Sequence, residues 1–323
     1  MTEQEFERAA KLVYDKSGIH LQPEKLGLLS NRLRRRLRAL ELNSFADYDR
    51  LISSERGGEC ELPHFISAVT TNETYFFRND QLWQFFKREL IPHWQEAKAM
   101  KRSIRIWSAA SSSGEEAYTA AISLRENIPQ IDDWSVTIIA SDISPRVLDH
   151  ARAAIYNDYA ISRMGGPRIQ AWFDRSDGGY HLKDVIRQMV NFQYHNLRDE
   201  FPDGRFDLVF LRNVLMYFDL DMKKRVLEVV SKALVPGGHL IVGDVDPIGA
   251  SIQLRRAMQL EYRRPGVYRK PGGAGPLHSM ESTSGAAALE REKHRQGDDC
   301  AQNFRGAGQQ ECDAIGVDSL GGL

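Results

Sequence analysis

Apolar residues recur at three- and four-residue steps through the first part of the chain, a period that predicts helices. Leu26, Leu29, Leu33, Leu37 and Leu40 form the clearest stripe, and "EQEFERAAKLVYDKSG" before it and "SFADYDRLISSE" after it repeat the pattern. Residues 1–60 therefore read as a small all-helical domain. "RGGECELP", with its paired glycines and proline, reads as the exit linker. After the helical "DQLWQFFKRELIPHW" the period changes. "SIRIWSAA", "SVTIIASD", "MVNFQYHN", "RFDLVFLRN" and "GHLIVGD" are short β-branched or aromatic runs, and amphipathic helices such as "GEEAYTAAISLREN", "PRVLDHARAAIY" and "LDMKKRVLEVVSKALV" lie among them. That alternation predicts an α/β domain with a mostly parallel sheet over residues 79–270. "FDRSDGGYHLKDVIRQM" interrupts it and is consistent with a small antiparallel insert, although its period is ambiguous. From residue 271 to 323 strand patterning stops, and the segment reads as a disordered tail outside the folded unit.

Composition narrows the class. A chain of 323 residues with 42% hydrophobic and 27% charged residues can bury one full core and a smaller second one. No run approaches a membrane span, and the acidic, amphipathic start is unlike a signal peptide, so the expected compartment is the cytoplasm without membrane insertion. Of three cysteines only Cys60 precedes the tail, which leaves no disulfide framework or zinc cluster. A net charge of -1 argues against a globally basic nucleic-acid binder. One local patch stands out. Arg32, Arg34, Arg35, Arg36 and Arg38 share the leucine-striped helix and lack acidic neighbours in sequence, which fits either a solvated face or an anionic partner.

In an open parallel sheet, ligands bind beyond the carboxyl ends of the strands where the strand order reverses. After "IRIW" comes "SAASSSGEEA", small residues with one glycine and no G-x-G-x-x-G, so a dinucleotide is disfavoured. Asp142 ends the second strand. It is placed either to accept from ribose hydroxyls or to cap the helix that starts near Ser144 and Pro145. An acid there, a glycine-poor first loop and no phosphate cradle together suggest S-adenosylmethionine.

"TTNETYFFR", "IWSAASSSGEEAYTAAISL", "IIASDISPRVLDHARAAIY", "NFQYHNL" and "FDLVFLRNVLMYFD" resemble, in order and spacing, the successive motifs of CheR, the chemotaxis-receptor glutamate methyltransferase family. The likeness runs from about residue 5 to 270. It implies a Rossmann-like class I methyltransferase domain preceded by a helical domain, residues 61–78 as linker and start of the active-site wall, and an antiparallel insert over about residues 157–190. It also implies methyl transfer from S-adenosylmethionine to glutamates on the cytoplasmic helices of chemoreceptors. By the same likeness Asn72, Thr74, Arg78, Ala109, Glu115, Asp142, Asn196, Leu197, Arg212 and Asn213 face the cofactor. Arg78 and Tyr217 would position the substrate, and Arg32, Arg35 and Arg36 would dock an acidic receptor helix. Glu115 could accept from the cofactor's α-ammonium or merely favour its helix N-terminus.

"GDVDPIGAS" departs from the family's Gly-His-Ser-Glu run, so Asp244 and Asp246 bear on substrate fit. Two other classes compete: a methyltransferase of nucleic acid or of another signalling protein, and a non-catalytic cofactor-binding scaffold. The chain has neither the Pro-Pro-aromatic nor the Pro-Cys motif of common base methyltransferases. A scaffold would need none of Arg78, Asp142, Arg212 and Tyr217.

Overall fold

The computed structural model describes residues 1–202, 204–243 and 248–272. Asp244, Asp246 and the expected tail beyond residue 272 lie outside the described residues. Helix α1 (Glu3–Ser17) starts in a capping box: Thr2 Oγ1 accepts from the Glu5 amide at 3.2 Å, and Glu5 Oε2 accepts from the Thr2 amide at 2.7 Å. It ends at Gly18, whose φ of 75° favours glycine. Helix α2 (Leu26–Ala39) buries Leu29, Leu33 and Leu37 against Phe6, Val13 and residues of α3 (Phe45–Ser53) and α4 (Glu55–Val69).

The expected linker "RGGECELP" is instead the first half of α4. Ser54 caps it by accepting from the Gly57 amide at 3.2 Å. The glycines serve close packing rather than freedom, since a Cβ on Gly57 or Gly58 would lie 2.6 Å from the Leu51 or Ile52 carbonyl oxygen. Burial of Phe65, Ile66 and Val69 then outweighs the local cost of Gly57, Gly58 and Pro63.

A second expectation fails on α2. Arg36 is not free: its Nε and Nη2 donate to Glu61 at 2.8 and 2.7 Å, and the Tyr48 hydroxyl donates to the same carboxylate at 2.8 Å. Glu61 is buried, so this pair belongs to the domain core rather than to a docking face. Acid and arginine are a full helix apart in sequence, which is why no acid was visible near the arginines.

The second part begins with α5 (Asp80–Phe85), a π-helical turn over Phe86–Leu90, and α6 (Ile91–Ala97). Strands β1 (Ser103–Ala109), β2 (Ser135–Asp142), β6 (Val190–Tyr194), β7 (Phe206–Leu211) and β8 (Leu234–Val242) pair in parallel in the order β6-β2-β1-β7-β8. An antiparallel hairpin, β9 (Glu261–Arg264) and β10 (Val267–Arg269), extends that edge. Along β1, Ile104 and Ile106 pack with α7 (Glu115–Asn127), whereas Trp107 and Ala109 face the opposite layer with α12 (Leu220–Ala233). Helix α8 (Pro145–Ala153) leads into a three-stranded antiparallel sheet, β3 (Ile155–Tyr156), β4 (Phe173–Ser176) and β5 (Gly179–Leu182), in the order β3-β5-β4. Short helices α9 (Asp158–Ile161), α10 (Gly166–Trp172) and α11 (Asp184–Arg187) flank it, and α13 (Ile252–Met258) packs on α12. This is the all-helical unit, Rossmann-like sheet and small antiparallel insert that the sequence predicts.

Reversing Arg36 to glutamate leaves Glu61 buried beside a like charge. Arg36→Glu is expected to destabilise the protein by about 3 kcal/mol or more in urea unfolding, while Arg35→Glu on the exposed face stays within about 0.5 kcal/mol of wild type.

Candidate functional site

Strand order reverses at β1, between β2 and β7. A cavity of about 540 Å³ opens at the carboxyl ends of these strands. Asn72, Thr74, Arg78, Asp142, Asn196, Leu197, Arg212, Asn213 and Tyr217 all line it, and so does Arg32. The structure therefore gathers residues spread over much of the chain into one wall.

One side of that wall is the extended segment after α4. Arg32 Nη1 donates to the carbonyls of Val69 at 2.8 Å and Thr70 at 3.1 Å, and its Nη2 donates to Thr71 Oγ1 at 3.1 Å. A guanidinium thus satisfies carbonyls that the end of α4 leaves open. That geometry makes Arg32 a support of the site wall, correcting the expectation of a free docking cation. Asn72 is held through its carbonyl, which accepts from Ser112 Oγ at 3.1 Å. The Arg78 guanidinium donates to the Glu73 carbonyl at 2.7 Å and lies 5.7 Å from the Tyr75 ring centroid. Arg212, buried, donates Nη2 to the Arg78 carbonyl at 2.6 Å and Nη1 to Glu116 Oε2 at 3.1 Å.

The loop after β1 turns through left-handed conformations at Ala110, Ser112 and Gly114. Ser112 and Ser144 amides donate to the two oxygens of Asp142, each at 2.9 Å. Asp142 is thus a backbone clamp and a cavity-wall carboxylate at once, and burial raises its pKa against those two amides. Each of its oxygens keeps a lone pair for a further donor. Two expected cofactor residues are elsewhere. Ala109 is the last residue of β1 and turns into the apolar layer beside Trp107, leaving Ala110, Ser111 and Ser112 at the wall. Glu115 is 3% exposed and accepts from Ser113 Oγ at 3.0 and 2.8 Å, and burial pushes its pKa from 4.5 up to about 7. Its neighbour Glu116 lines the cavity instead. Consecutive helical residues point about 100° apart, so "GEE" alone does not say which glutamate faces the ligand. Arg35 is exposed on α2 and takes no part in the cavity.

Three buried polar atoms of cavity-lining residues, Ser111 Oγ, His195 Nε2 and Arg212 Nε, find no hydrogen-bond partner among the described residues. Buried polar groups are seldom left so, and these three lie behind the cavity surface, covered by the protein itself. Burial also lowers the His195 pKa, and its ring packs against Trp107 and Phe201. His195, Ser111 and Glu116 are the wall residues that motif reading missed. Only their positions just after strands or at a helix start signalled them. Among the described residues, no group of side chains could hold a metal ion and no helix is long and apolar enough to cross a membrane.

Residues 72–263 match the family model described as "CheR methyltransferase, SAM binding domain", and residues 4–70 match "CheR methyltransferase, all-alpha domain". A chemotaxis protein methyltransferase of Vibrio anguillarum is 36% identical over 248 residues, covering 75% of this chain and 89% of that protein. One of Borreliella burgdorferi is 33% identical over 276 residues, 84% of this chain and 95% of its own length. Chemotaxis protein methyltransferase 2 of Pseudomonas aeruginosa is 37% identical over 252 residues, 75% of this chain and 86% of that protein.

Glu115 generates a pH dependence. Its folded pKa lies above its ordinary value, so its contribution to stability is full below about pH 4.5 and is lost as pH rises through about 7. Glu115→Gln is expected to match wild type in urea unfolding at pH 4 and to exceed it by about 3 kcal/mol at pH 8.

Proposed function

The chain belongs to the CheR methyltransferase family and is an S-adenosylmethionine-dependent methyltransferase, and on that premise we propose that it methylates glutamate side chains on the cytoplasmic helices of chemoreceptors. The observation that carries the reading is the cavity wall itself: Asp142 at the end of β2, with Asn72, Thr74, Arg78, Glu116 and Asn196 lining the same cavity. Those residues fit an adenosine with an amino-acid arm. Asp142 would accept from ribose hydroxyls, and Asn196 and Leu197 would border the base. Glu116, in the part first expected of Glu115, would face the α-ammonium, with Asn72 and Thr74 completing that side.

When bound, S-adenosylmethionine supplies an electrophilic methyl carbon on a sulfonium. The accepting glutamate is already ionised at neutral pH, so the protein needs no general base. Its work is to align a carboxylate oxygen behind that carbon and to strip water from it, and proximity of this kind is worth several orders of magnitude. Arg78 and Tyr217 are the positioners in this reading. Arg35 is the expected docking cation that remains exposed. Because Arg32 holds the segment after α4 and Arg36 pairs with Glu61, the cationic face open to an acidic helix or to nucleic acid is narrower than the arginine run suggests.

Incubation with methyl-labelled S-adenosylmethionine and receptor cytoplasmic fragments is expected to give protein-bound label that mild base releases as methanol. Label that appears on nucleic acid, or base-stable label on protein, would overturn this reading, and no transfer at all would favour a scaffold. Asp142→Ala is expected to weaken cofactor binding by calorimetry about tenfold or more, from the loss of charge-assisted hydrogen bonds. Tyr217→Phe is expected to lower turnover while leaving that affinity nearly unchanged. Equal damage to both quantities would move Tyr217 from substrate to cofactor.

A further inference from the structure

The contacts that hold Arg78 do not stop at the cavity wall. Its guanidinium meets Glu73, through the carbonyl oxygen at 2.7 Å, and Tyr75, whose ring centroid is 5.7 Å away. Both are in turn touched by Tyr159, on helix α9 of the insert. The Tyr159 hydroxyl donates to Glu73 Oε1 at 2.7 Å, and its ring meets Tyr75 edge-on with centroids 6.0 Å apart. Helix α9 is itself anchored on both sides. Asp158 Oδ1 accepts from the Tyr180 hydroxyl of β5 at 3.0 Å, and the Ala160 carbonyl accepts from the Phe76 amide at 2.9 Å.

A packing role does not account for Tyr159. Its side chain is 53% exposed, and a hydrogen bond made at the surface contributes little to folding because water competes for both partners. The contact bears instead on the chain around Arg78. Glu73 and Tyr75 lie in a stretch with no helix or strand, Thr70 to Phe77, where nothing periodic fixes the chain. Fixing the two residues that flank a guanidinium limits where the guanidinium can point. Methyl transfer is sensitive to that, since misplacement by about 1 Å can cost about a hundredfold in rate.

We propose that Tyr159 is a positioning residue for methyl transfer: by clamping Glu73 and Tyr75 it fixes the Arg78 guanidinium at the cavity wall and couples the insert to the reacting carboxylate. The proposal rests on the reading above, in which Arg78 orients the substrate glutamate. Tyr159→Phe removes the hydroxyl and keeps the ring edge on Tyr75, whereas Tyr159→Leu removes both. At saturating S-adenosylmethionine, kcat on receptor fragments is expected to fall about fivefold in the first and about fiftyfold in the second. The cofactor dissociation constant and Tm are expected to stay at wild-type values in both. Glu73→Gln keeps an acceptor for the hydroxyl and is expected to lose less activity than Glu73→Leu. Deuterium uptake by backbone amides of residues 73–78, measured by mass spectrometry, is expected to rise in Tyr159→Leu. Wild-type kcat in Tyr159→Leu would overturn the proposal, as would a fall in kcat that tracks a fall in Tm. Should the wild-type protein methylate no receptor fragment, the proposed function fails by itself; unchanged deuterium uptake would then overturn the Tyr159 clamp, and increased uptake would support it.

Discussion

The stretch from Thr70 to Arg78 sits between the helical domain, the large sheet and the insert, and its backbone forms no helix or regular strand. Buried peptide groups must still be paired, so the partners come from all three neighbours. Arg32 supplies the Val69 and Thr70 carbonyls, and Ser112 the Asn72 carbonyl. Ala160 takes the Phe76 amide and Thr119 the Phe77 amide. Arg212 and the Trp83 indole both donate to the Arg78 carbonyl. A cavity wall built this way is irregular enough to present Asn72, Thr74 and Arg78 together. Its shape depends on all three of these neighbours.

Those supports also sustain backbone strain. Phe77, Asn79, Ala110, Ser112 and Asn213 all adopt positive φ, and all lie on or beside the cavity wall. At Phe77, Ala110 and Ser112 this costs on the order of 1–2 kcal/mol each, and less at the two asparagines. Such conformations persist only where surrounding contacts over-determine them. Asp142 clamping the Ser112 amide is one such contact, and Arg212 bridging Glu116 to the Arg78 carbonyl is another.

The helical domain takes part in the same construction. Tyr14 donates to Asp219 at 2.8 Å, Asn196 Nδ2 donates to the Lys16 carbonyl at 2.8 Å, and the His20 amide donates to the Tyr217 carbonyl at 2.8 Å. The end of α1 is therefore tied to two of the loops that follow sheet strands. Removing the domain would free Asn196 and Tyr217 along with the segment that Arg32 holds.

Much of this was legible in local pattern. Periods near 3.6 and runs of β-branched residues placed the helices and the five parallel strands, because amphipathicity is written residue by residue. Position after a strand marked Asp142 as a wall candidate, since the parallel topology dictates where strand ends converge, whereas Asn196 and Arg212 were marked by the family motifs. What local pattern could not carry was the outcome of competition between distant groups. Gly57, Gly58 and Pro63 look like a linker until Phe65, Ile66 and Val69 find a core that favours helix. Arg32 and Arg36 look unpaired until the α4 terminus and Glu61 arrive from elsewhere in the chain. Glu115 and Glu116 are chemically identical, and the rotation of α7 against the sheet alone decides which is buried with Ser113 and which meets Arg212 at the cavity. Side-chain partnership is a property of three-dimensional proximity, and composition and spacing encode it only where the partners are also neighbours along the chain.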